Sequence, residues 1–333
     1  MSGAALVVVV AIALAFDFTN GFHDTANAVA TSVSTRALSP RTAVLVAAVM
    51  NFLGAFTSTK VAKTVGGGLI NTQPGFVTAH VLLAALIGAI CWNLLTWRLG
   101  LPSSSTHALI GGLMGAAIVR GGSHPVNWST LWNKTIWPGL ASPVIGFLLA
   151  GVVMVAILWA FRKVRPAPLN RGFRILQIAS GSFLAFAHGT NDAQKTMGVI
   201  ALALYAGHHS SSPSDIPTWV IAGAAASMAA GTYIGGWRIM RTMGTRIFKL
   251  RPPQGFAAQS TASAILYTVA TRYGFPVSTT HVISGSVMGA GATTRMSAVR
   301  WGVAADIVGA WLLTIPAAAI VAAAVYGVMS VVS

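Results

Sequence analysis

The chain has 333 residues, of which 55% are hydrophobic and only 8% charged. Soluble globular domains carry about 25% charged residues and disordered chains lack hydrophobicity, so both classes are excluded in favour of an integral membrane protein. The net charge is +16, with 21 Lys and Arg against five acids, all of them Asp: Asp17, Asp24, Asp192, Asp215 and Asp306. The basic residues lie between apolar runs, as in the loops of a multi-pass protein, and form no nucleic-acid-binding module.

A spanning helix needs about 20 apolar residues. In chain order the apolar segments are 3–19, 42–59, 78–97, 103–119, 136–161, 174–187, 193–207, 217–236, 257–271, 277–293 and 302–329. The first has no basic flank and no cleavage site, so it reads as a retained span. The single Cys91 excludes an internal disulfide and a cysteine-based metal site. Four polar stretches, 20–27, 100–107, 188–196 and 273–281, interrupt the apolar pattern and predict broken helices around an intramembrane site. The Trp residues near segment ends (Trp97, Trp128, Trp132, Trp137, Trp237, Trp301) are placed as interfacial anchors.

The stretches repeat. Gly21-Phe22-His23-Asp24 matches Gly189-Thr190-Asn191-Asp192, and Pro102-Ser103-Ser104-Ser105-Thr106-His107 matches Pro276-Val277-Ser278-Thr279-Thr280-His281, in the same order. The halves are therefore 1–161 and 175–333, joined by a basic connector over 162–174. The basic 162–174 and 238–251 segments are cytoplasmic candidates, and the 208–217 loop, without Lys or Arg, lies opposite. Whether 78–119 spans twice or re-enters, the first half has an odd number of crossings, so the halves are oppositely oriented. The expected fold is an all-α polytopic membrane protein of two inverted-topology repeats, with broken helices and two helical hairpins meeting at the membrane midplane. Lys60, Lys63, Arg120 and Lys134 then fall outside, against the charge rule.

Each hydroxyl motif follows a Pro and opens an apolar helix. Ser and Thr there cap orphan N–H groups, and the free N–H groups with the helix dipole favour an anion. Two copies at equivalent positions predict an oxyanion site between facing hairpin tips. His107 and His281 then orient the hydroxyl loops. A carboxylate deep in a membrane is costly and usually functional. Asp24 and Asp192 therefore read as groups that hold a coupling cation, or carry a proton, for an anion moved against an inside-negative potential. The bland alternative pairs Asp192 with Lys195 three residues on. His23, beside Asp24, is placed for proton coupling. Asp17, seven residues before Asp24, and Lys195 are auxiliary positions, Asp306 lies in the last span, and Asp215 is a solvated loop residue. No catalytic residue and no resident metal or cofactor is expected: without Glu a His-Glu-x-x-His site is impossible, and no Gly-x-Ser-x-Gly elbow occurs.

Asn20-Gly21-Phe22-His23-Asp24-Thr25-Ala26-Asn27 with His188-Gly189-Thr190-Asn191-Asp192-Ala193-Gln194-Lys195, together with the two hydroxyl loops, resembles the inorganic phosphate transporter (PiT) family, most of all bacterial low-affinity Pit permeases. The resemblance covers essentially the whole chain. It implies a dimeric, multi-pass plasma-membrane symporter that is not an enzyme. It implies phosphate contacts at Ser104, Ser105, Thr106, Ser278, Thr279 and Thr280 and cation contacts at Asp24, Asn27, Asn191 and Asp192. Sodium-coupled relatives carry Asn where this chain has His23, which favours protons over sodium and admits metal–phosphate complexes as substrate. Gln259 stands where relatives often carry Glu. The rival reading is a transporter of sulfate or another oxyanion, since both anions are tetrahedral.

Overall fold

The computed structural model describes residues 1–73 and 75–332. Its elements are α1 (Gly3–Ser34), α2 (Pro40–Gly54), α3 (Lys60–Gly68), α4 (Ala79–Leu99), α5 (Ser105–Gly121), α6 (Trp128–Leu131), α7 (Trp137–Ala160), α8 (Pro166–Ala206), α9 (Thr218–Ile234), α10 (Trp237–Arg241), α11 (Pro252–Thr268), α12 (Thr279–Ala292) and α13 (Trp301–Val332). Short π-helical turns join α6 to α7 and extend α10 and α11. Among the described residues the only β pairing is an isolated bridge, Ile70 with Val126. Among the described residues four stretches are long and apolar enough to cross a membrane: Gly3–Ser34, Ala79–Leu99, Trp128–Ala160 and Trp301–Val332.

The two polar stretches that carry the acids do not break their helices. α1 runs through Asn20–Asn27 without interruption, and the expected segments 174–187 and 193–207 are one helix, α8, of 41 residues. At 1.5 Å per residue α8 is about 62 Å long, roughly twice a hydrocarbon core. Helical backbone satisfies itself, so polar side chains inside it need only partners on neighbouring helices. The glycines in these stretches serve close crossing instead of a turn. A Cβ at Gly21 would overlap the Met228 carbonyl of α9, and one at Gly189 the Asn51 carbonyl of α2. α8 also absorbs most of the expected connector: the link between halves is a short turn ending at Arg165. True breaks occur at the other two stretches, where Gly100 and Gly274 end helices in the left-handed region (φ +68° and +66°) and extended residues lead into α5 and α12. Thus α4–α5 and α11–α12 are helical hairpins. The short α3 has no counterpart among the expected segments, because its sequence, Lys-Val-Ala-Lys-Thr-Val-Gly-Gly-Gly, carries little apolar signal.

The halves are exchanged about a two-fold relation. α1 packs on α9 as α8 packs on α2, and each half's last helix packs on the other half's hairpin, α7 on α12 and α13 on α5. The equivalent helices α1 and α8 run antiparallel: Asp24 meets His188 and Asp192, Ser32 lies against Gly181, and Thr35 Oγ1 donates to Gln177 Oε1 at 2.6 Å. Equivalent helices that cross in opposite directions make the repeat an inverted one. Fourteen of the 21 basic residues fall in 35–41, 161–174, 235–251 and 293–300, segments that gather at one end, where Arg300 N donates to Ile247 O and Gly244 meets Ala30. The outward faces of α7 and α13 are apolar (Leu140, Val144, Leu148, Val152 and Leu312, Leu313, Ile320, Val328), as lipid contact requires. Asp306 is exposed on α13 near the basic end, so it does not join the buried acids.

Small-residue crossings hold the hairpins. Gly111 and Gly115 face the carbonyls of Ile315 and Ala319, and Gly285 and Gly289 face those of Pro143 and Phe147. This is the spacing that lets membrane helices approach closely. Gly289→Val should cost at least about 1–3 kcal/mol by overpacking against backbone, seen as a lowered unfolding midpoint in detergent. Gly327→Ala, with open space around it, should leave the midpoint unchanged.

Candidate functional site

The site is where the two hairpin tips meet α1 and α8. Ser104 caps α5, its Oγ accepting from His107 N at 3.1 Å, and Ser278 caps α12, accepting from His281 N at 3.3 Å. Both bland capping roles are therefore real. An accepting hydroxyl still has its own proton to donate, so capping does not remove either serine from an anion. Ser105, Thr106, Thr279 and Thr280 fill the first turns and are buried. Ser105 Oγ has no partner, and Thr106 Oγ1 reaches Val277 O at 3.5 Å, joining one tip to the other. The tips thus bring two helix N-termini, with their unpaired N–H groups, to one buried place.

The acids sit beside the tips. Asp192 Oδ1 accepts from Lys195 Nζ at 2.6 Å, Asn191 Nδ2 at 2.7 Å and Thr279 Oγ1 at 3.0 Å. The local ion pair is made, and the same carboxylate also ties α8 to the second hairpin. Asn191 Nδ2 donates as well to Val277 O at 2.7 Å, and Asn27 Nδ2 to Thr280 Oγ1 at 2.8 Å. Asp24 is held differently. His23 Nδ1 lies 2.6 Å from Asp24 Oδ1, and its Nε2 lies 3.0 Å from Thr96 Oγ1 and 3.3 Å from Ser103 Oγ, which are themselves 2.8 Å apart. His23 therefore links its acid to the first hairpin, where Asp192 reaches the second directly.

All the expected site residues are buried and converge here, with Asp17 a separate group farther back along α1. Sequence reasoning missed two partners. His188 Nε2 is 3.3 Å from Asp192 Oδ2, and the donor atoms of Asp24, His188 and Asp192 all lie within 4.8 Å of one another, close enough to hold one cation. The signal was present: Asn20-x-x-His23-Asp24 against His188-x-x-Asn191-Asp192 exchanges His and Asn, giving each acid one histidine. Thr96, 73 residues from His23, had no sequence signal. Two carboxylates against the one lysine leave a formal charge of −1, which a single monovalent cation or proton balances.

His107 and His281 pack edge to face behind the tips, ring centroids 4.8 Å apart. Pro143 lacks the N–H that would bind the Gly139 carbonyl four residues earlier. That carbonyl takes His281 Nδ1 at 3.2 Å instead, so a proline in α7 anchors the second tip. Gln259 is likewise not placed at the acids. Its amide joins Thr31, Ser32 and Ser180 (2.6–2.8 Å), a closed hydrogen-bonded patch between α1, α8 and α11.

The chain matches the model of the phosphate transporter family over residues 20–322. It is 50% identical over 325 residues to a protein of Mycobacterium bovis, covering 97% of this chain and 77% of that one. It is 49% identical to one of Rhizobium meliloti (96% and 95% covered) and 45% identical to one of Bacillus subtilis (98% and 97%). Each of the three is described as a "probable low-affinity inorganic phosphate transporter". A solved structure, "The sodium-dependent phosphate transporter", superposes with a TM-score of 0.87 at 26% identity, covering 99% of this chain and all of that one. Family model, relatives and fold agree with two capped hairpin tips set against paired acids, and the chain belongs to the phosphate transporter family.

Proposed function

We propose that the chain is a secondary active symporter that imports inorganic phosphate, free or as a neutral metal–phosphate complex, together with protons. The observation that carries this reading is the joining of each hairpin tip to an acid: the first through His23 to Asp24, the second directly to Asp192. Phosphate sits between the tips, taking N–H groups and the hydroxyls of Ser104, Ser105, Thr106, Ser278, Thr279 and Thr280. Its own O–H donates to a carboxylate, which fully deprotonated sulfate cannot do. The coupling ion sits at Asp24 and Asp192 with Asn27 and Asn191, and alternating access follows from exchange of the two inverted repeats about this point. Protons are favoured over sodium because an imidazole, which can accept a proton at one nitrogen and release one from the other, bridges Asp24 to the tip. Sodium is the second reading, favoured by the solved neighbour, a transporter described as sodium-dependent. The basic end faces the cytoplasm of a plasma membrane by the positive-inside rule, and the unit is a homodimer, as the family resemblance implies.

Phosphate uptake into proteoliposomes under separately imposed proton and sodium gradients, with and without Mg²⁺, tests this. The expected result is acceleration by an inward proton gradient alone, with excess sulfate failing to compete. Equal displacement by sulfate overturns the substrate reading. Uptake driven by sodium and indifferent to protons overturns the coupling reading, and stimulation by Mg²⁺ identifies the metal complex as the form carried.

A further inference from the structure

Asp17 is fully buried, and neither carboxylate oxygen has a hydrogen-bond partner. Asn20 and Thr196 lie against it. The amide of Asn20 and the hydroxyl of Thr196 are themselves buried and unpartnered. Asn93 is a third such group, with both amide atoms unpartnered. It stands three residues before Thr96, as Asn20 stands three before His23. His23 touches Thr96, and α1 and α4 both run toward 236–244, where Gly236 meets Phe22 O and Arg238 bonds to Arg98 O. The two amides therefore share a level. The nearest lysine, Lys195, is engaged by Asp192, and among the described residues no ion pair includes Asp17.

A buried carboxylate without a countercharge costs several kcal/mol, and proteins resolve that cost by pairing, by taking up a proton or by binding a cation. Here α1 and α8 bring together one carboxylate, one amide oxygen and one hydroxyl, with the Asn93 amide of α4 at the same level, all hard oxygen donors of the kind that hold hard cations. A single carboxylate balances a single positive charge, whereas a divalent ion would keep an excess. A proton would use at most one of the neighbouring oxygens as acceptor, whereas a cation draws on all of them. We propose that Asp17, Asn20, Asn93 and Thr196 form a second cation site, for a small monovalent ion of the sodium type, distinct from the paired-acid centre of Asp24 and Asp192. It deepens the transport reading and rests on it for its purpose, but its occupancy is measured without phosphate.

The test uses the protein in nanodiscs at fixed pH, with choline replaced stepwise by sodium or potassium, read by the unfolding midpoint. The expected result is a saturable rise in midpoint with sodium and none with potassium. Asp17→Asn should weaken sodium at least about tenfold, Asn93→Ala and Thr196→Val should weaken it less, and Asp215→Asn, in the exposed loop, should leave it unchanged. A midpoint in choline equal to wild type or above shows that each variant folds, and the two milder variants decide the matter if Asp17→Asn does not. The proposal is overturned if wild type shows no sodium-specific rise, if the rise persists in Asp17→Asn, or if Asp215→Asn abolishes it. A midpoint that follows pH but ignores sodium assigns a proton to Asp17 and likewise overturns it. Failure of phosphate uptake in wild type would instead count against the transport reading alone.

Discussion

Asp24→Asn should abolish gradient-driven phosphate uptake in a protein that still folds, whereas Asp192→Asn should lose both uptake and stability. The difference follows from the partners. Asp24 is held by His23 at 2.6 Å, and an asparagine in its place can still hydrogen-bond that imidazole. What it removes is charge: the centre goes from a formal −1 to neutral, and a coupling cation is no longer balanced. Uptake should fall at least about 100-fold, equivalent to ~2.7 kcal/mol. Asp192 Oδ1 accepts from Lys195, Asn191 and Thr279 at once. Its neutralisation leaves a fully buried ammonium without a countercharge, a loss of about 3–5 kcal/mol. The double variant Asp192→Asn, Lys195→Gln removes that orphan charge and should recover the unfolding midpoint without recovering transport. Phosphate uptake and thermal unfolding on the same preparations check both halves. Wild-type uptake in Asp24→Asn would remove it from the coupling site, and an Asp192→Asn midpoint equal to wild type would remove the ion pair's structural role.

The same residues show what the sequence could disclose. The repeats, the hairpins and the six tip hydroxyls were legible because each rests on a local rule: a proline, a hydroxyl cap and an apolar helix, written twice. The inversion was legible through loop charge and is independently visible as the antiparallel crossing of α1 and α8. The acidic stretches look like breaks because Gly21 and Gly189 have the same signature whether a chain turns or another helix passes close by. Only the identity of the neighbour, Met228 or Asn51, decides between them. Contacts between distant positions, such as His23 with Thr96 or Asn27 with Thr280, were illegible for the same reason: they are set by packing of separate helices, and no local pattern encodes them. The place of Asp306 was open for a related reason, since membership in an apolar run does not say which face of the helix a residue occupies.

His23→Asn should uncouple phosphate movement from protons without emptying the phosphate site. The imidazole contacts Asp24 through Nδ1 and the Thr96–Ser103 pair through Nε2, so one ring spans from the acid to the start of the first hairpin. Imidazole can accept a proton at one nitrogen and release it from the other; an amide offers hydrogen bonds but no such exchange. Asparagine is also what the chain itself carries at the equivalent place, Asn191, so the substitution suits the local helix. Ser105, Thr106, Thr279, Thr280 and both acids are untouched by it. The expected result is that an inward proton gradient no longer accelerates uptake, a loss of about tenfold or more, while exchange of labelled for unlabelled phosphate with no gradient continues. His188→Asn provides the contrast. His188 bonds Asn51 of α2 at 3.0 Å and reaches no hairpin, so its loss should weaken uptake while the acceleration by protons persists. Undiminished proton-driven uptake in His23→Asn would move the proton path elsewhere, and loss of exchange along with it would mean that the ring positions phosphate instead of coupling it.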